Sequence, residues 1–241
     1  MSIPVILDCD PGTDDAFALM LALASPEIDL RAVTVAGGNV GLDRTLANAL
    51  ALVALAESSV PVFAGADRPL LGAFVSEERV HGADGLSGIS LPTGGAPRPD
   101  LAVDAIRRIL RESNSPVVLL GIGPATNLAL ALMAEPALLP KVARIVLMSG
   151  AWAEGNITPA AEFNAWSDPE AVAVLLASGC MVEFATLEIA AQALATPARI
   201  ATLRDSGAGR CLQALCDIQD RVPLSRRFNF DGAALYDPCA V

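Results

Sequence analysis

The sequence predicts an α/β fold, a single domain whose mostly parallel sheet is flanked by helices. Three observations predict it. Short apolar runs with strand character alternate regularly with runs of helical spacing. The unusual polar segments fall directly after strand-like runs, where open α/β sheets bind ligands. The 241 residues, 53% of them hydrophobic, suffice for one substantial core spanning residues 1–241.

The first strand is expected from Ile3 to Cys9. It runs into Asp8-Cys-Asp-Pro-Gly-Thr-Asp-Asp15, four aspartates in eight residues, and an amphipathic helix from Asp15 to Ala24 leads out. Like charges packed this closely cost free energy unless positive charge shares the space, and no lysine or arginine lies nearby in sequence. A hard divalent cation with oxygen ligands is the simplest neutralising partner. Helix capping would use one or two of the carboxylates, not four.

A second strand, Asp29 to Ala36, leads to Gly37-Gly-Asn39 and a helix from Leu42 to Glu57. The third, Val60 to Ala64, opens a long loop holding His81-Gly-Ala-Asp-Gly85, ahead of a helix from Leu101 to Glu112. After the fourth, Pro116 to Leu120, comes Gly121-Ile-Gly-Pro-Ala-Thr-Asn127, overlapping a helix from Pro124 to Met133. The fifth, Ala143 to Met148, precedes a loop with Asn156, Glu162 and Asn164 and a helix from Pro169 to Ala177. Met181 to Ala185 completes the set.

Composition narrows the partners. A net charge of −11, with one lysine and fifteen arginines, argues against nucleic acid or an anionic membrane surface. Mean hydropathy is positive, yet the apolar runs are short and broken by Gly, Pro and Asp, so no membrane span is expected. The first residues have no basic region, so no signal peptide is expected either. The five cysteines lack zinc-site spacing and read as reduced thiols in a cytoplasmic protein.

Several segments together carry a resemblance. They are Asp8-Cys-Asp-Pro-Gly-Thr-Asp-Asp15, Gly37-Gly-Asn39, Ala64-Gly-Ala-Asp-Arg-Pro-Leu70, His81-Gly-Ala-Asp-Gly-Leu86, Gly123-Pro-Ala-Thr-Asn127, Ala161-Glu-Phe-Asn164 and Tyr236-Asp-Pro-Cys-Ala240. In this order, over nearly the whole chain, they resemble the nucleoside hydrolases, the inosine-uridine preferring group of ribonucleoside N-glycosidases. The resemblance implies a Rossmann-like open α/β domain that hydrolyses the N-glycosidic bond of ribonucleosides to ribose and free base. It also implies Ca2+, held by Asp10, Asp15, the backbone carbonyl of Thr126 and Asp237. A water activated beside the ion would be the nucleophile, Asp10 its general base, and the transition state oxocarbenium-like. Ribose would be bound by Asp14, Asn39, Asn156, Glu162 and Asn164, with His81 at the pocket mouth. The same resemblance implies a homodimer or homotetramer serving purine or pyrimidine salvage.

Departures from the family pattern set further expectations. Tyr236 stands where many relatives carry a histidine that protonates the departing base, and a phenol is a weaker acid than imidazolium by several units. Trp152 and Trp166 are candidates for stacking on a purine. Leu187-Glu-Ile-Ala190 replaces the usual Asp-Val-Thr. Relatives continue beyond the position of Val241, so the chain is expected to be shortened at its C-terminus. Two alternatives stay open: a non-catalytic nucleoside- or ribose-binding relative, and a haloacid-dehalogenase-like phosphatase with Asp8 as nucleophile and magnesium as cofactor.

Overall fold

The structure, a computed structural model, describes residues 2–207, 209–223 and 230–241. Its elements run β1 (Ile3–Cys9), α1 (Thr13–Ala24), β2 (Ile28–Val35), α2 (Leu42–Leu55), β3 (Val62–Ala64), α3 (Glu78–His81), α4 (Ala102–Glu112), β4 (Val117–Gly121) and α5 (Thr126–Ala134). There follow a 3-10 turn (Pro136–Lys141), β5 (Val142–Met148), α6 (Phe163–Ser167), α7 (Pro169–Ala177), β6 (Val182–Ala185), α8 (Leu187–Ala190), β7 (Leu194–Ala195), α9 (Pro197–Asp205), α10 (Gly209–Gln219), β8 (Ala233–Ala234) and a second 3-10 turn (Asp237–Cys239).

The first six strands form one parallel sheet in the order β3-β2-β1-β4-β5-β6. Both faces are covered, which is why the strands read as continuous apolar runs rather than as alternating ones. Leu7 and Cys9 of β1 point into a core built with Leu19 of α1, Leu52 of α2 and Ile218 of α10. Ile6 faces the opposite core, shared with Ile106 of α4, Leu128 of α5 and Leu175 of α7.

Strand order reverses between β1 and β4: β2 lies on one side of β1 and β4 on the other. The crevice outside their carboxyl ends is where such sheets place a ligand. Register puts Asp8 level with Thr34 of β2 and Gly121 of β4. The aspartate turn, the Gly37-Gly38-Asn39 turn and the Gly123 segment therefore open onto one crevice.

The six strands and the long helices between them follow the sequence reading, while several boundaries differ, the short helices α3 and α6 stand where loops were expected, and the last quarter of the chain departs further. α5 begins at Thr126 because Pro124 stays in the preceding turn and Ala125 makes the N-cap. Beyond β6 the chain forms an antiparallel pair, β7 with β8, and the helix α9, which the apolar spacing did not indicate, and then α10, the helix on which Cys211 and Cys216 were expected. The turn at Asp237 packs back against α1, bringing the two ends of the chain together. Among the described residues no helix is long and apolar enough to cross a membrane, and the five cysteines are unpaired.

Asp168 ties the helical layer together. Fully buried, it caps α7 through Ala171 N–H (3.0 Å) and accepts from Thr126 Oγ1 (2.6 Å) and Leu70 N–H (2.9 Å). Asp168→Ala removes the cap and strands two donors, a loss of about 2–4 kcal/mol. A fall of about 5–10 °C in melting temperature is expected by calorimetry, and an unchanged melting temperature would contradict this role.

Candidate active site

The cavity lies at the carboxyl end of the sheet and encloses about 260 Å3. Its floor is the turn after β1. Asp10 and Asp15 are fully buried, while Asp14 at the start of α1 faces the cavity. Oxygens of Asp14, Asp15 and Asp237 lie within 4.8 Å of one another, an arrangement able to hold a metal ion. Asp10 lies beside this trio, bracketed by two glycines: a methyl group at Gly38 would strike its Oδ2, and one at Gly123 its Oδ1.

Hydrogen bonds hold the floor in register. Asn39 N–H donates to Asp10 Oδ2 (2.7 Å), and its side-chain amide donates to the Asp10 carbonyl (3.0 Å) and to Asp15 Oδ2 (2.9 Å). The Asp15 carboxylate also accepts from the N–H groups of Gly12 (2.9 Å) and Asp10 (3.2 Å). Helix capping is thus part of its role, favoured by the positive end of α1. Asp10 Oδ1, by contrast, is buried with no hydrogen-bond partner. One layer deeper, Asp8 Oδ1 accepts from Thr34 Oγ1 (2.6 Å) and Asn127 Nδ2 (2.9 Å).

Burial sets the electrostatics. It raises Asp8 and Asp15 to about 7, against the lowering effect of their hydrogen bonds; the charge of Asp14 adds to the rise at Asp15. Asp10 and Asp237 go well above the ordinary carboxylate range, first by burial and then by neighbouring aspartates. Among the described residues, every ion pair involves other carboxylates. Of the described residues His81 is the one basic group near the set, acting on Asp14; an orphaned oxygen beside hard oxygen donors with no lysine or arginine partner among them fits a divalent cation.

The walls carry the remaining polar groups. His81 Nδ1 accepts from Thr13 N–H (3.1 Å), so the neutral ring carries its proton on Nε2, and burial lowers its pKa. Glu162 caps α6 and accepts from Asn164, Ala165 and Gly150 N–H groups and from Ser149 Oγ. Asn164 donates to the carbonyls of Ile122 and Met148, and Asn156 Oδ1 accepts from Phe163 N–H. Tyr236 lines the same space, its phenol raised to about 12 by burial and by the nearby charges of Asp14 and Glu162.

Comparison with known proteins matches this arrangement. The pattern of the inosine-uridine preferring nucleoside hydrolases fits residues 5–241. The chain belongs to that family. The pyrimidine-specific ribonucleoside hydrolase RihA of Salmonella arizonae is 43% identical over all of this chain and 79% of its own length. The corresponding protein of Klebsiella pneumoniae is 42% identical over the same shares. A purine-preferring ribonucleoside hydrolase from Gardnerella vaginalis superposes with a TM-score of 0.91 at 30% identity, covering 98% of this chain and 78% of its own. The plant nucleoside hydrolase PpNRh1 gives 0.89 at 31%, covering 99% and 77%.

As a nucleoside hydrolase the protein is an enzyme, which removes the non-catalytic reading. The phosphatase reading fails as well: Asp8 is 1% exposed, bound on Oδ1 by two side chains, and absent from the cavity wall. Asp14, Asn39, His81, Asn156, Glu162, Asn164, Tyr236 and Asp237 all line the cavity, with Asp10 and Asp15 beneath it. Thr126 is not brought there. It lies in the first turn of α5 with its hydroxyl on Asp168, whereas Ile122, just past β4, lines the cavity. Trp152 is 88% exposed, and Trp166 packs at a tilt on Phe163; neither indole lines the cavity. Missed in sequence were Asn127 and Thr34, which hold Asp8, although Thr-Asn after Gly-x-Gly-Pro was a visible signal for the first.

A carboxyl raised in the folded state binds more protons there than in the unfolded chain. Without metal, this cluster's contribution therefore falls as pH rises from about 4, the ordinary aspartate value, through about 7. A divalent cation offsets the repulsion that develops. The gain in melting temperature from calcium should grow between pH 5 and pH 8, reaching about 5–10 °C at a hundredfold excess over Kd. A gain independent of pH, or none, in paired calorimetry scans with calcium and chelator would count against the cluster as a cation site.

Proposed function

We propose that this hydrolase cleaves the N-glycosidic bond of pyrimidine ribonucleosides with calcium as its resident ion. The observation that carries the reading is Asp10 Oδ1, buried and unpartnered beneath the cavity beside the Asp14, Asp15 and Asp237 carboxylates. Asp10, Asp15 and Asp237 are assigned to hold the ion. The Ile122 carbonyl, already taking the Asn164 amide on one side, is assigned in place of that of Thr126. When bound, calcium supplies charge that orients a vicinal diol and lowers the pKa of a water.

The remaining work falls to side chains. Asp14 faces the cavity and accepts from a ribose hydroxyl. Asn164 has Oδ1 left for the sugar because its amide is spent on two carbonyls, and Asn156 has its amide left because Phe163 occupies its oxygen. Glu162 is held rigid by four donors and presents remaining lone pairs. Asn39 orients both floor carboxylates. Asp10 takes a proton from water as the oxygen attacks the anomeric carbon; the bond to the base breaks, and the nearby carboxylates stabilise the positive charge on the sugar. The Tyr236 phenol stays protonated and donates a hydrogen bond to the departing base. His81 Nε2–H is a second donor on the wall.

Pyrimidine preference rests on 42–43% identity, over all of this chain and 79% of the relatives, to enzymes named pyrimidine-specific, and on the absence of an indole on the described cavity wall. Cytoplasmic salvage and a homodimer or homotetramer follow from the family resemblance, and light scattering tests the latter.

Ribose release from uridine, cytidine, inosine and adenosine, with calcium or with chelator, tests the proposal. Calcium-dependent release, faster from the pyrimidines, is expected; release unaffected by chelator, or no release, would overturn it. Asp10→Asn should lower kcat by about 10²–10⁴-fold, and an undiminished rate would remove Asp10 as the base. Tyr236→His should speed uridine hydrolysis more than that of an aryl riboside with a good leaving group, while equal effects would dissociate Tyr236 from the leaving base.

A further inference from the structure

We propose that the carboxamide of Gln219 reads the hydrogen-bonding edge of the nucleobase, making it a specificity-determining residue of the hydrolase. The inference rests on the function proposed above and adds the group that recognises the base.

Gln219 is the last residue of α10. It is 8% exposed and lines the cavity. Most uncharged polar side chains around this cavity are already committed: Asn39 to Asp10 and Asp15, Asn156 to Phe163, Asn164 to Ile122 and Met148, Thr13 to His81. Among the described residues, the Gln219 carboxamide and the Tyr236 hydroxyl line the cavity without any hydrogen bond to the protein. The polar atoms of the Gln219 amide therefore face the cavity and are free to bond a ligand there. Tyr236 sits among the carboxylates of the ribose end, next to Asp14 and Glu162. Gln219 is instead accompanied on the wall by Val222, Pro223 and Phe230, apolar surfaces suited to the faces of a flat ring.

Gln219 is also held in place. Val222 N–H donates to its carbonyl (3.2 Å), closing the turn after α10. The Arg221 guanidinium donates to the carbonyls of Ser87 (3.2 Å) and Gly88 (2.9 Å), fastening that turn to the loop that follows His81. These bonds fix the backbone from which the Gln219 side chain projects, while its carboxamide stays free to turn toward a ligand.

A carboxamide offers one acceptor beside one donor group. Uracil presents N3–H beside a carbonyl oxygen, and cytosine presents an amino group beside N3. Rotating the amide by half a turn matches either pattern, so one glutamine serves both pyrimidines.

The test compares kcat/KM for uridine and cytidine with that for 4-nitrophenyl riboside, whose leaving group has no such edge. In Gln219→Met, close in size and without the amide, the ratio of natural to aryl substrate is expected to fall about tenfold or more. Gln219→Glu, which can accept but not donate, should lower the same ratio. A ratio unchanged in both variants, or parallel losses on both kinds of substrate, would overturn the assignment, the second because it marks a packing role. Turnover of the aryl riboside shows in each case that the variant is folded. Failure of the unsubstituted enzyme on every riboside would instead overturn the parent function and this assignment with it.

Discussion

The burial of Asp8, Asp10, Asp15 and Asp237 without a basic neighbour is the constraint on which the rest of this structure depends. Bringing a carboxylate out of water costs several kcal/mol even after local relaxation. The exposed arginine pairs, such as Arg31 with Asp29, are each worth at most about 1 kcal/mol and lie too far from the cluster to offset it. What offsets it locally is a set of oriented donors: the N–H groups of Gly12 and Asn39, the Asn39 amide, and the start of α1. These fix where each carboxylate points and leave one oxygen of Asp10 unanswered. The site is thus built for charge it does not itself contain.

The fold supplies this site through its strand order. Because β2 and β4 flank β1, the turns after all three open into the same crevice, and each contributes a different kind of group. The turn after β1 brings carboxylates, that after β2 brings Gly38 and Asn39, and that after β4 brings Gly123 and the Ile122 carbonyl. Asn127 braces the arrangement from below, donating to Asp8 and accepting from Ala66 N–H (2.8 Å) in the segment after β3. Hydrogen bonds buried among close-packed strands leave little freedom for the groups above them.

Much of this was legible in the sequence, for identifiable reasons. Asp8 to Asp15 sits between a strand pattern and a helix pattern, so its place on a strand-to-helix turn followed from periodicity alone. Glu162 and Asn164 flank Phe163 in a stretch that reads as loop; both line the cavity, and Glu162 also caps α6, a role the sequence did not reveal. Thr126 misled because the resemblance alone chose which carbonyl of Gly121-Ile-Gly-Pro-Ala-Thr-Asn127 faces the ion: Ala125 is the N-cap, and Thr126 opens α5 with its hydroxyl on Asp168. Gln219 gave no signal, since a glutamine ending an amphipathic helix reads as solvated surface until α10 is seen packing beside α1. The β7–β8 pair spans two residues on each strand, too few for alternation to register.

Asp10 and Asp15 are drawn from the first turn of the chain and Asp237 from far along it, yet they face one another across the floor of the cavity. A cation shared by Asp15 and Asp237 closes a loop of about 220 residues, and on the loop-entropy scale such a closure withdraws up to about 5 kcal/mol of freedom from the unfolded chain. The ion would then act as a reversible staple, mechanically equivalent to a long-range cross-link in a chain whose cysteines are all unpaired. Such a staple would have nothing to grip until Asp237, which follows every strand of the large sheet, is in place.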